Sequence, residues 1–282
     1  GLILGVDFKG GRSYVVTFNN SQNPTEIENG LKETFNNEGV EVKTFGADNI
    51  LKITTSYLIS DETDNADIQV KTNLISGIKS LTDLDYSKDD SQVDESNFTI
   101  SSSSKVGATI ADDIKNSSFL SGLLAILAIF IYILIRFRKW QFSIGAVIAL
   151  FHDILFVISA FAFANLFGIS YEIDQVFIAA ILTIIGYSIN DTVVVFDRIR
   201  ENMGIKAGSD LIPVVNESIN KTISRTLITS MTTFIVVLVL FLFGGASLSG
   251  FSFALLIGII VGTYSSVFIA TPIVVDLYKE NN

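Results

Sequence analysis

Apolar and polar positions follow two different rhythms along this chain, and the change comes near residue 117. Before it the runs are short. Ser13–Phe18 alternates as a half-buried strand does, and Val40–Phe45 with Ile50–Thr55 reads as a hairpin closed at Gly46–Asn49. Between them Ile27, Leu31 and Phe35 recur at helical spacing over Pro24–Asn37. Asn23 stands in the N-cap position, Pro24 at the first helical position, and Gly39 as the stop. Ala66–Leu81 repeats apolar residues at Ile68, Leu74, Ile75 and Ile78 and predicts a second helix, and Asn97–Ser102 predicts a last strand. The order βαββαβ over residues 12–106 is that of a ferredoxin-like split βαβ domain of the α+β class. Asp83–Ser96 is acidic and predicts a mobile loop.

After a hinge at residues 107–116 the pattern becomes long apolar runs. Five are long enough to span a membrane: Ser117–Ile135, Phe142–Phe167, Asp174–Phe196, Ile223–Phe243 and Phe251–Tyr278, within a transmembrane domain of residues 117–282. Arg136, Arg138 and Lys139 sit in the first connecting loop, Arg198, Arg200, Lys206 and Lys221 in the third, and Lys279 follows the last span. The second and fourth loops carry no Lys or Arg. The positive-inside rule therefore places the first and third loops and the C-terminus in the cytoplasm and residues 1–116 outside. Gly1–Gly5 is apolar but too short to cross. A trimmed signal segment would account for it, but topology favours the end of a helix that precedes Gly1, completing six spans. Residues 1–11 then join that helix end to a glycine-rich motif.

Composition adds to this picture at two points. The chain carries a net charge of −10, and residues 1–116 hold about −9 of it, counted from the sequence. That sign argues against nucleic acid and against docking of the first half on anionic lipid. There is no cysteine and one histidine, so disulfides, thiolate chemistry and a metal site fall away. No cofactor is expected.

The chemistry-bearing residues lie inside the apolar runs. Asp191 is embedded in the third, where a carboxylate costs roughly 2.5–3.5 kcal/mol near a helix centre on insertion scales. Thr183, Tyr187, Asn190 and Asp191 recur at helical spacing and predict one polar stripe turned toward the bundle or water. The functional reading of Asp191 is a proton- or ion-exchanging carboxylate; the plainer one is a single acid pinned by hydroxyls. Arg225, near the cytoplasmic end of the fourth span, either pairs with Asp191 or snorkels to the surface. His152 and Asp153 are adjacent in the second span but point about 100° apart, so one can serve an ion route while the other braces a helix. Glu172 and Asp174 at the outer mouth of the third span read as an interfacial cap, with a proton-uptake funnel as the lesser alternative. Gly250, Ala254, Gly258, Gly262, Ser266 and Ala270 stand four apart in the last span, a small-residue row that lets another helix approach, with Gly258 and Gly262 at its centre. No GxSxG, HExxH or P-loop pattern is present, and Gly186–Asp191 lacks the motif of intramembrane aspartyl proteases, so no enzyme is expected.

Three segments together resemble the SecF family of the SecD–SecF protein-export complex. Gly5–Gly11 (GVDFKGG) is similar to the glycine-rich motif that follows the family's first membrane helix. Ile185–Asn202 (IGYSINDTVVVFDRIREN) resembles its fourth-helix signature, and Ser224–Ser230 with Leu242–Gly245 its fifth helix and outer loop. Val106–Ile114 is similar to the hinge before the second helix. The resemblance implies a polytopic α-helical membrane protein, a six-helix half of the resistance–nodulation–division (RND) type, with an extracytoplasmic ferredoxin-like domain. It implies a bacterial cytoplasmic (inner) membrane location and use of the proton motive force to promote preprotein translocation and release on the outer face. Its implied partners are SecD, separate or fused, the SecYEG channel, YajC, YidC and preprotein substrates. By motif, Asp191 is the proton-exchanging acid, Arg225 its charged partner and Asn190 a neighbour that orients or hydrates it. An RND-type exporter of small molecules or lipids and a non-transporting translocon scaffold are the rival readings.

Overall fold

The computed structural model describes residues 2–61, 63–89, 93–167, 169, 171–206 and 210–279. Gly1, residues 90–92 of the acidic stretch, parts of the second and third loops and the chain end lie outside the described residues. The chain divides into two compact units. One comprises Leu2–Ser117 with Glu172–Gln175, the other Ser118–Tyr171 with the residues from Val176 onward.

In the first unit the elements run β1 (Ile3–Leu4), α1 (Val6–Lys9), β2 (Gly11–Phe18), α2 (Pro24–Thr34), β3 (Val40–Phe45), β4 (Ala47–Thr55), α3 (Asp64–Thr82), β5 (Asp85–Ser87) and β6 (Asn97–Val106). The strand order is β3-β4-β2-β6-β5, antiparallel throughout except that β5 runs parallel to β6. Its first four strands with α2 and α3 make the ferredoxin-like arrangement. Strand β5 corrects the expectation of a loop from Asp83 to Ser96: the Tyr86 ring packs tilted against Phe98, 5.8 Å between centroids, and so anchors a three-residue strand that charged neighbours hide in the sequence. The core is built from Phe18, Leu31, Phe35, Leu51, Leu74, Ile78 and Phe98, all fully buried. The Asn23 side chain accepts the Thr25 N–H at 3.0 Å and caps α2. Helix α3 buries Ala66, Val70, Leu74 and Ile78, whereas Ile68, expected on the apolar stripe, points to solvent away from that buried face.

The beginning of the chain is extended. Ile3 and Leu4 form β1 and pair in parallel with Glu172 and Ile173, which form β7, so this stretch is not the last turn of a helix. The glycines that follow are required by close approach. Gly11 has φ +121°, and a Cβ there would stand 2.5 Å from the Thr55 carbonyl oxygen.

The second unit is helical: α4 (Ala108–Phe137, its first turns in the first unit), α5 (Trp140–Leu166), α6 (Gln175–Ile205), α7 (Leu211–Phe243), α8 (Ala246–Ser265) and α9 (Thr271–Lys279). Among the described residues five helical stretches are long and apolar enough to cross a membrane, with α8 and α9 forming one of them. Residues 108–116 of the expected hinge are the opening turns of α4. Helices α6 and α7 run beyond their apolar windows, because charged turns are held by their own pairs. Asp197 binds Arg136 at 2.9 Å and Arg200 at 2.8 Å, Lys206 and Lys221 both reach Glu217, and Asn202 donates to Ser218 at 2.7 Å. Between α8 and α9 the helix widens to a π-turn at Ser266–Ala270. Pro272 has no N–H to return to the preceding turn, and the wider turn accommodates that loss. The Thr271 hydroxyl donates to the Ser266 carbonyl at 3.0 Å.

Candidate functional site

The last span is the most buried of the five and supplies one wall of the site. Gly258 and Gly262 face α6: a Cβ on Gly258 would stand 2.4 Å from Ile184, and one on Gly262 would stand 3.0 Å from the Ser188 Cβ. That closeness brings the polar residues of α6 within hydrogen-bond reach of α8.

Asp191 is 2% exposed. Its Oδ2 accepts from the Ser230 hydroxyl of α7 at 3.1 Å and from the Thr263 hydroxyl of α8 at 3.5 Å, and the Thr263 and Ser230 hydroxyls are 2.7 Å apart. Thr263 also reaches the Ile259 carbonyl at 2.8 Å. Within the described residues no Lys, Arg or His side chain pairs with Asp191. A hydroxyl both donates and accepts, so this chain serves either form of the acid. With the carboxylate ionised, Ser230 donates to Asp191 and Thr263 to Ser230. With it protonated, Asp191 donates to Ser230, Ser230 to Thr263 and Thr263 to the carbonyl. The donation along Asp191, Ser230 and Thr263 reverses with both contacts kept, while the single Thr263 proton turns from Ser230 to the Ile259 carbonyl.

A second acid is equally enclosed. Asp153 of α5 is 1% exposed; its Oδ2 accepts from Ser188 of α6 at 2.6 Å and from Ser265 of α8 at 2.9 Å. His152 Nδ1 lies 3.1 Å from its Oδ1, while the imidazole itself is part-exposed. Thr192 and Ser266 join α6 to α8 at 2.8 Å. Ser188, Ser230, Thr263 and Ser265 are the residues that sequence reasoning did not single out, since hydroxyls are common in all these spans.

The expected polar stripe is split by the structure. Asp191 turns inward, but Thr183 and Asn190 are exposed, and among the described residues no hydrogen bond joins Asn190 to Asp191. The Tyr187 hydroxyl is buried with no hydrogen-bond partner among the described residues. Arg225 is exposed on α7, five residues before Ser230, and forms no ion pair with Asp191. Glu172, expected as an interfacial cap, is bound by Lys52 at 2.6 Å in the first unit.

Spanning-length helices with two carboxylates enclosed between them, carried with a ferredoxin-like domain, define a polytopic membrane protein of the transport class. Residues 86–280 match the family described as protein export membrane protein SecD/SecF, C-terminal, and residues 1–22 match the SecD/SecF GG motif. The chain is 45% identical over 278 residues to protein translocase subunit SecF of Rhodothermus marinus, covering 98% of this chain and 84% of that protein. It is 36% identical over 286 residues to protein translocase subunit SecF of Petrotoga mobilis, covering 99% and 87%. The crystal structure of SecDF, a translocon-associated membrane protein from Thermus thermophilus, superposes with a TM-score of 0.78 at 29% identity; the match covers 98% of this chain. It covers 34% of the SecDF chain, so this chain spans about a third of that protein. The chain belongs to the SecF family of protein translocase subunits.

Proposed function

We propose that this chain works with SecD, as a separate subunit or a fused half, and uses the proton motive force to promote preprotein translocation and release on the outer face of the bacterial inner membrane. Asp191 takes up a proton from the outer side and returns it to the cytoplasm, and the ferredoxin-like domain, on the outer side, responds to its charge. The observation that carries the reading is a carboxylate enclosed among spanning helices whose only hydrogen-bond partners, among the described residues, are a reversible pair of hydroxyls. Such a group is costly inside a membrane and marks an ion path by default. A potential of 100 mV supplies about 2.3 kcal/mol per charge moved, enough to bias a domain reorientation.

Arg225 fits as the counter-charge of a second state, in which Asp191 leaves the hydroxyls. Asn190 and Thr183, exposed on a spanning helix, fit a face that SecD spans cover, since polar groups there turn toward protein or water rather than lipid. SecYEG, YajC and YidC are the partners the family would bring to the same place. The role is transport and not enzymatic catalysis.

The test is export of a secreted reporter in cells whose only copy of the complex carries Asp191→Asn, with assembly with SecD checked in parallel. The expected result is intact assembly with export reduced to the level of cells lacking the complex. Normal export would make Asp191 a packing residue and this subunit a scaffold.

A further inference from the structure

Glycine-rich residues 5–11 and the segment 172–175 belong to one compact unit, and the second of these runs without a break into α6, the helix that carries Asp191. Residues 3–7 contact 172–175, and Glu172 is tied in turn to the sheet. Strands β1 and β7 pair with Ile3 opposite Glu172 and Leu4 opposite Ile173. The Gly5 N–H donates to the Ile173 carbonyl at 2.9 Å. Asp7 Oδ2 accepts the N–H of Gln175, the first residue of α6, at 2.9 Å. Glu172 binds Lys52 at 2.6 Å and lies 3.8 Å from Lys43, both on the central sheet, with all three side chains largely shielded. A Cβ on Gly5 would stand 3.1 Å from the Asp174 Cβ and 3.2 Å from a Glu172 carboxylate oxygen, so a side chain there would push the segments apart.

We infer that these contacts form a latch in which Asp7 is the positioning residue: it holds Gln175, the first residue of α6, to the sheet domain, so that a displacement of the helix at Asp191 is delivered to that domain. A carboxylate at a helix N-terminus satisfies a free N–H and opposes the positive end of the helix dipole, which makes it a firm attachment point for the whole helix. The strand pair fixes direction, and the Lys52–Glu172 pair fixes the link to the sheet. The inference rests on the reading that Asp191 couples ion movement to export.

The absence of cysteine makes a direct test available. Leu4 and Ile173 are register partners in a ladder, about 4.8 Å apart by strand geometry, within the span a disulfide bridges. The full SecD–SecF complex is prepared with Leu4→Cys and Ile173→Cys, with native Asp7, Asp7→Ala or Asp7→Asn, and proton-driven export is assayed under oxidising and reducing conditions. Asp7→Ala is expected to lower export severalfold when reduced and to recover it when the disulfide closes. Asp7→Asn, which still accepts the Gln175 N–H, stays near the native rate, and the oxidised pair with native Asp7 exports normally. Gln175→Pro is the companion variant: it removes the donor at a helix position where proline is well tolerated. It should give the same deficit as Asp7→Ala, with no further loss when the two are combined.

Native export from Asp7→Ala, failure of the disulfide to restore it, or a block by the disulfide in the native background would each overturn the latch. Asp191→Asn in the same assay separates the two claims. Export that needs Asp191 but ignores Asp7 removes the latch alone, whereas export that ignores Asp191 removes the coupling reading and the transmission with it.

Discussion

The two compact units bury opposite kinds of side chain. In the sheet unit Phe18, Phe35 and Phe98 are fully buried, and most charges lie at the surface. In the helical unit Phe119, Leu166 and Phe243 are more than 70% exposed, while Ser188, Asp191, Ser230 and Ser265 are enclosed. The first arrangement is held by removing apolar surface from water. The second gains nothing that way, because hydrocarbon is as apolar as leucine; close approach at small residues and hydrogen bonds across helices must hold it instead. The exception on each side is informative. Arg12, 2% exposed, is the buried charge of the sheet unit: it binds Asp67 and the carbonyls of Tyr57, Leu58 and Asp61. The Phe137–Phe142–Phe196 cluster is the aromatic core of the helical unit.

The contrast breaks hardest at a pair of phenylalanines. Phe98→Ala is expected to lower the stability of the sheet unit by about 3–5 kcal/mol, the usual cost of emptying a buried aromatic site. Phe119→Ala, at an exposed position of α4, should change stability by less than about 0.5 kcal/mol. Urea titration of the two variants of the full chain in detergent compares them, and equal effects would refute the assignment of an inside and an outside.

The next effect is that of Arg12→Met, which leaves three carbonyls without their donor and Asp67 with Lys105 alone, and should cost about 2 kcal/mol at neutral pH. Burial works against the ionised Asp67, but the hydrogen bonds from Lys105 and Arg12 prevail and hold its carboxyl below the usual range. A depressed carboxylate stabilises the fold above its ordinary pKa, and that contribution is lost as pH falls through the folded value. The gap between the native chain and Arg12→Met should therefore narrow on acidification below the ordinary value of about 3.9. A gap that widens would exclude the pair as its source. The smallest effect is that of Asn23→Ala, which removes the α2 cap and should lower stability by about 1 kcal/mol; hydrogen exchange faster in the first turn of α2 than in α3 would localise it.

How far the sequence reveals this structure follows from the same contrast. The sheet order could be read because β2, β3 and β4 alternate cleanly and the α2 cap announces itself. Strand β5 could not, since three residues are too few for a period and Tyr86 earns its place only against Phe98. The ends of α6 and α7 escaped for another reason: hydropathy measures how much of a helix is apolar, whereas pairs such as Arg200 with Asp197 carry the helix on into water. Within the site, Asp191 is legible because an acid in an apolar run has no ordinary explanation. Its rotation is not. Asn190 and Asp191 are neighbours separated by about 100° around the axis, and the stripe centred on Thr183, Tyr187 and Asn190 leaves Asp191 at its margin. Nor are Ser230 and Thr263 legible, because α7 alone offers Thr222, Thr226, Thr229, Thr232 and Thr233 as equal candidates, and only the packing chooses among them.

The small-residue row of the last span has one more consequence. Residues four apart on an α-helix advance about 40° around the axis at each step, so a row of this kind is a screw thread and not a straight seam, and the π-turn at Ser266–Ala270 changes its pitch. Gly258 and Gly262 meet Ile184 and Ser188 of α6, but two repeats later the thread has turned, and the Ala270 carbonyl meets α5, where a Cβ on Gly145 would stand 2.7 Å away. One spindle thus engages two neighbours in succession, and turning it would change its grip on both.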